Sequence, residues 1–244
     1  MELLEKLWVD QADAAVEKIY VGTFWTAVVI ERDGRKSCGV ASNPIKSQDD
    51  QAFQAALTEL RQQSARTLCS LATQHDSPLA SVGLAAVNAL LPRQPERWVE
   101  RNALEVIAAR GQGNRVALVG HFPFVPELRP RVGELQVLEL HPQDGDYPAS
   151  EAPRIIPKAQ VVAITSMAFI NGTLEGLLKL CSPDSFVVVL GPSTPLSPIL
   201  LEHGIDMLCG CVVEEIDQVL TAVANGYRFK QIKQHGIRLV TIEK

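Results

Sequence analysis

The sequence carries no surplus of positive charge: 23 Lys and Arg stand against 28 Asp and Glu over 244 residues, a net charge of -5 with a pI near 5.6. Nucleic acids are held by clustered Lys and Arg that neutralise phosphates, so no nucleic-acid partner is expected. Cysteine is sparse and unpaired in pattern. Cys38, Cys69, Cys181, Cys209 and Cys211 are odd in number and irregular in spacing, which excludes the paired framework of a small secreted scaffold. The opening MELLEKLWVDQADAAVEK has neither the basic nor the apolar region of a signal peptide. No apolar run approaches the roughly 18 residues of a transmembrane helix. The expectation is a cytoplasmic protein with no membrane partner. G-x-S-x-G, the P-loop and H-E-x-x-H are also missing, which removes the common hydrolase, kinase and metalloprotease templates.

What is present is a globular composition, 46% hydrophobic and 21% charged, sufficient for a sizeable core. The organising stretch is NRVALVGHFPFVPE, residues 114–127. A short apolar run closed by Gly120 and Pro123 reads as a parallel strand buried on both faces, and such a strand delivers its loop to the ligand crevice of an open sheet. From there strands alternate with helices: 116–120, 135–140, 161–165, 186–191, 207–213 and 239–242, with helices over 171–181, 196–203 and 214–225. This is a Rossmann-like parallel-sheet α/β domain over 95–244. Before it, the spacing predicts an amphipathic helix over 2–19 and a hairpin from 21–31 through Asp33-Gly34 into SCGVAS. Helices follow over 50–73 and 79–91. That makes an α+β domain over 1–94. Ser81, Gly83, Ala85, Ala86 and Ala89 let another backbone come close to the last helix, and Asn88 is an amide in an apolar stretch that needs partners there.

Loops leaving the strand carboxyl ends form the default site. They bring Gly120, His121 and Pro123 together with Glu139, with Asn171 and Thr173, and with Gly191, Pro192, Ser193 and Thr194. Asn171-Gly172-Thr173 and GPSTPLSP read as two helix starts, the second capped by Ser193 or Thr194, suited to capping or to holding an anion. Glu139 lies 19 positions beyond Gly120, the offset at which dinucleotide folds place a ribose acceptor, yet GHFPFV lacks the glycines that admit a pyrophosphate. An adenosine-type or smaller ligand fits better than NAD. His121 and His141, with Glu139, Asp144 and Asp146, are of the type that binds a divalent metal. Cys209 and Cys211 share one face of a strand and read as small hydrophobes rather than ligands.

The segments SVGLAAVNALL, VGHFPFVPEL, the Glu139 strand with its downstream Gly-Asp, ITSMAFINGTLEGLL, VLGPSTPLSP and GIDMLCGCVV occur in an order that resembles the "putative heavy-metal chelation" domain family. The resemblance runs from about residue 10 to 243. It implies an enolase-N-terminal-like domain, a Rossmann-like domain and a site in the cleft between them. Its motif positions here are Asn88, Gly120, His121, Pro123, Glu139, Asn171, Thr173, Gly191, Pro192, Ser193 and Thr194. Met167-Ala168-Phe169-Ile170 stands where the family usually has a small or polar run.

Three functions stay open. One is binding or handling of a heavy metal, or of a metal-chelating small molecule, with His121 and Glu139 as metal residues. Another is an enzyme using an adenosine-containing cofactor such as S-adenosylmethionine, with Glu139 on the ribose and His121 as acid or base. The third is a non-catalytic ligand sensor. The composition is compatible with a homodimer.

Overall fold

A computed structural model describes residues 2–44, 51–75 and 77–244. The N-terminal half is built on a three-stranded antiparallel meander of β1 (Ala15–Val21), β2 (Trp25–Arg32) and β3 (Arg35–Ser42). Asp33 and Gly34, both at positive φ (53° and 72°), make the two-residue turn that the sequence predicts. The helix predicted over 2–19 does not form. Its first part is a 3-10 turn, Glu5–Leu7, and its last part is β1. Leu3, Leu4 and Leu7 are buried as an apolar stripe would be. The run Val16 to Val21 is instead β-branched and aromatic at its end, and β2 offers it a paired edge.

Three helices follow, α1 (Gln51–Leu60), α2 (Ala65–Cys69) and α3 (Ala80–Leu90). The predicted helix over 50–73 is thus divided, and its residue 50 lies outside the described residues. The break falls where the Ser64 hydroxyl caps a new helix by accepting from Thr67 N–H. In α3 every residue but Asn88 is buried. Its small residues have the predicted use, because the backbone of Ala85, Asn88 and Ala89 sits directly on β3 at Gly39. A Cβ there would stand 2.1 Å from Ala85 O and 2.3 Å from Ala89 N.

The C-terminal half begins with α4 (Ala103–Gly111), capped by the Asn102 side chain. Its sheet has the strands β4 (Arg115–Val119), β5 (Glu134–Glu139), β6 (Tyr147–Pro148), β7 (Val161–Thr165), β8 (Phe186–Leu190), β9 (Met207–Val213) and β10 (Ile237–Glu243). Their order is β10-β9-β8-β7-β4-β5-β6, parallel throughout except that β10 runs antiparallel to β9. This is the Rossmann-like sheet expected, extended by the two-residue β6. The order reverses between β4 and β7, so the ligand crevice of such a sheet opens there. The helix predicted over 171–181 starts only at Leu174, and Met167–Ile170 is a separate turn of helix. The one predicted over 196–203 shortens to Pro198–Leu201, with Pro198 in its first turn. The helix expected over 214–225 spans Ile216–Ala224.

The two halves share their cores. One face of the meander is covered by α3. The other packs Trp25, Val29 and Cys38 against Val213, Val219, Ala222 and Ile232 of the C-terminal half. Trp25 Nε1 donates to Tyr227 O at 2.9 Å across the same contact. No helix among the described residues is long and apolar enough to cross a membrane.

Gly39→Val forces a side chain into the α3 backbone and should cost about 3 kcal/mol or more by overpacking, read as a lowered urea midpoint. An unchanged midpoint would show that α3 can move off the sheet freely. Burial also pushes the Cys38 and Cys69 thiols up to about 12. A thiol whose pKa is raised on folding keeps its full contribution below the unfolded value near 9. That contribution is lost as pH climbs from about 9 towards 12, because only the unfolded chain releases the proton. Stability should therefore decline across that window, and Cys69→Ala should make the decline shallower in urea titrations at successive pH values.

Candidate functional site at the carboxyl edge of the large sheet

The loops at the carboxyl edge place the predicted residues in three groups. The first surrounds the crevice. Gly120 leaves β4 at φ +101° and donates its N–H to Leu138 O at 2.8 Å. One carboxylate then holds two loops together: Glu139 Oε2 accepts from His121 N at 2.8 Å, and Glu139 Oε1 accepts from Leu140 N at 2.7 Å. His121 Nδ1 meets Asp146 Oδ2 at 2.8 Å and Oδ1 at 3.1 Å, and Asp146 also accepts from Gln143 N at 3.1 Å. The Asp146 side chain is 1% exposed and that of His121 24%. Pro123 is exposed between Phe122 and Phe124, whose rings stack at 5.0 Å.

An ionised carboxylate only accepts, so Asp146 fixes the hydrogen of neutral His121 on Nδ1 and leaves the lone pair on Nε2. A histidine ligand to a metal is held in this way, with a carboxylate behind it that sets the tautomer and raises the basicity of the free nitrogen. His141 and Asp144 are exposed. Among the described residues no three or more His, Cys, Asp or Glu side chains are grouped to hold a metal ion. The residues present therefore fit one imidazole ligand to a metal, not a complete set of protein ligands.

The second group lies along the seam between the halves. Asn88 Nδ2 donates to Val40 O at 3.0 Å and to Ser193 O at 3.1 Å. Ser193 Oγ accepts from Ser42 N at 2.7 Å and donates to Ser42 Oγ at 3.0 Å. Ser193 and Thr194 are buried and cap no helix, correcting their expected use as caps. The helix that follows starts after Ser197, whose side chain makes no cap bond either. The prolines of this loop delay the helix, and Ser193 is spent on the seam. Gly191 and half-buried Pro192 lead into it. At φ +135°, a Cβ on Gly191 would come within 2.2 Å of Ser166 Oγ, so only glycine lets this loop pass over the end of β7. Ser42 was not singled out from the sequence, since nothing local marks a strand-end serine whose partner lies 151 residues away.

In the third group, Asn171 Oδ1 accepts from Thr173 Oγ1 at 2.7 Å and from Thr173 N at 3.3 Å. The motif closes on itself in an Asx turn, and Gly172 sits against the His75 ring. It lines a cavity of about 310 Å³ with Glu2, His75, Phe169 and Glu175, away from His121. Cys209 and Cys211 serve different cores: Cys209 Sγ accepts from Thr241 Oγ1 at 3.4 Å, and Cys211 Sγ faces Pro192 O at 3.2 Å.

A mixed α/β protein with a meander layer, a Rossmann-like sheet and a carboxylate-backed histidine at the sheet's switch point is the class these features define. The chain belongs to the DUF364 family, whose model matches residues 102–241 under the description "Putative heavy-metal chelation". A companion model, DUF4213, carries the same description and matches residues 2–91. The crystal structure of a DUF364-family protein of unknown function from Desulfitobacterium hafniense DCB-2 is 26% identical and superposes with a TM-score of 0.85, covering 99% of this chain and 98% of that one. A family structure from Pyrococcus horikoshii, at 19% identity and a TM-score of 0.81 over the whole of both chains, shares the fold. "Uncharacterized protein MJ0500" of Methanocaldococcus jannaschii is 23% identical over 203 residues, 80% of this chain and 78% of that protein.

Glu139→Ala strips two backbone N–H groups of their acceptor and frees both loops. It should lower stability by about 1–3 kcal/mol in denaturant titration, with amide exchange at His121 and Leu140 faster than in the wild type.

Proposed function

We propose that the protein binds a metal held by a small chelating molecule, in the crevice at the carboxyl edge of the large sheet, with His121 Nε2 as the protein's ligand to the metal. The observation that carries this is the His121–Asp146 pair, an imidazole oriented by a buried carboxylate with its second nitrogen left free. Heavy-metal chelation in the family's description points the same way. With a single imidazole in place, the remaining ligands must arrive with the metal, which makes a metal complex a better cargo than a bare ion. Glu139, named with His121 as a metal residue, would act by fixing the His121 backbone. The adenosine-cofactor alternative required Glu139 to receive ribose hydroxyls. Both of its oxygens already accept backbone N–H groups, and nothing else at the site favours that reading.

Nickel(II) nitrilotriacetate, a chelate with coordination positions open to imidazole, is the probe. Isothermal titration should show one binding event per chain that His121→Ala removes and His141→Ala leaves intact. Asp146→Asn should weaken it by about 10–100-fold. Binding that survives His121→Ala would overturn the reading.

A further inference from the structure

The seam between the halves contains a cavity of about 50 Å³ that the site at His121 does not use. Its walls carry an unusual set of polar atoms. Asn88 Oδ1 is buried without a hydrogen-bond partner, and its identity as oxygen is fixed because the amide nitrogen donates to two carbonyls. Thr194 Oγ1 is likewise unpartnered, on a residue only 1% exposed. Two such buried oxygens, on residues that line one cavity, cost stability unless something there satisfies them. The same walls carry two thiols, Cys38 from β3 and Cys211 from β9. Each sulfur donates to a backbone carbonyl, Gly39 O at 3.7 Å for Cys38 and Pro192 O at 3.2 Å for Cys211. The remaining charged side chain on the walls is Arg93, whose guanidinium donates to Val213 O.

We infer that this cavity is a binding site for a thiophilic d10 cation of the Cu(I), Zn(II) or Cd(II) kind, with Cys38 and Cys211 as thiolate ligands and Asn88 Oδ1 and Thr194 Oγ1 as neutral oxygen donors. Sulfur selects soft ions over the hard cations that two neutral oxygens alone would hold. Each half of the chain supplies one sulfur and one oxygen, so the ion joins the halves across the seam. For a divalent ion two S–H bonds break, two metal–sulfur bonds form, and both protons pass to solvent, with no change of oxidation state. Two thiolates balance the charge of the ion, and Arg93 favours the ionised form of Cys38 against the effect of burial. The burial that pushes both thiols up to about 12 means that the protons leave only when the metal takes their place.

Cadmium is the probe, added to reduced full-length protein. The expected result is one ion per chain with a sulfur-to-cadmium charge-transfer absorption that Cys38→Ser and Cys211→Ser each abolish, while Cys69→Ser, Cys209→Ser and His121→Ala keep it. Release of two protons should make the apparent affinity rise about 100-fold per pH unit near neutrality. Absorption that persists in both Cys38→Ser and Cys211→Ser, or that is lost in Cys209→Ser instead, would overturn the inference. Should either serine variant fail to fold, cadmium X-ray absorption on the wild-type protein decides. Two sulfur neighbours support the site, and none, or more than two, refute it.

Discussion

Helix α3 can lie where it does only because its backbone rests on Gly39, and the relation between the two halves follows from that contact. With no side chain beneath it, the helix comes close enough for Asn88 to reach both Val40 O on the meander and Ser193 O in the loop after β8. Ser42, at the end of the same strand, takes the Ser193 hydroxyl. The loop after β8 is thereby tied to the N-terminal half. A helix this thoroughly buried has no solvent face to tolerate change. Its energy resides in close packing, where one extra methyl group is felt at once.

The centre of the large sheet was legible because β4, β7, β8 and β9 are short apolar runs, and buried parallel strands need little else, whereas the two-residue β6, Tyr147–Pro148, carries no such signal. The meander turn was legible because Asp-Gly suits two successive residues at positive φ. The N-terminal segment was not, because Leu3, Leu4 and Leu7 have helical spacing while Val16 to Val21 find a partner strand that no local pattern announces. The helix starts failed for a related reason. Ser193 and Thr194 have cap chemistry, but a hydroxyl goes where its best acceptor or donor lies, and for Ser193 that is a strand of the other half.

At the candidate site the sequence supplied the residues but not their division of labour. Glu139, Asp144 and Asp146 are chemically near-equivalent as letters, and only folding separates them. Glu139 accepts two backbone N–H groups and becomes a brace. Asp146 is buried behind His121 and becomes its orienting acceptor, and Asp144 stays in solvent. A carboxylate already committed to N–H donors has less electron density to offer a cation than one facing open solvent. The arrangement leaves one imidazole nitrogen as the group best placed to coordinate, and on the function proposed above the other ligands would arrive with the metal.

The two donor environments lie at different positions along one sheet edge. His121 follows β4 and Cys211 stands on β9, with β7 and β8 between them. At about 4.8 Å per strand the separation is roughly 14 Å, too far for one ion to engage both. They also differ in kind. The imidazole is partly exposed and held ready by a charge, which suits a ligand that comes and goes. The thiols, Cys38 buried and Cys211 half-buried, must give up protons to bind, which suits an ion that stays and holds the halves together. On the two proposals above, a resident ion and a cargo would thus be kept apart. The seam would hold the halves together, and the crevice would do the binding.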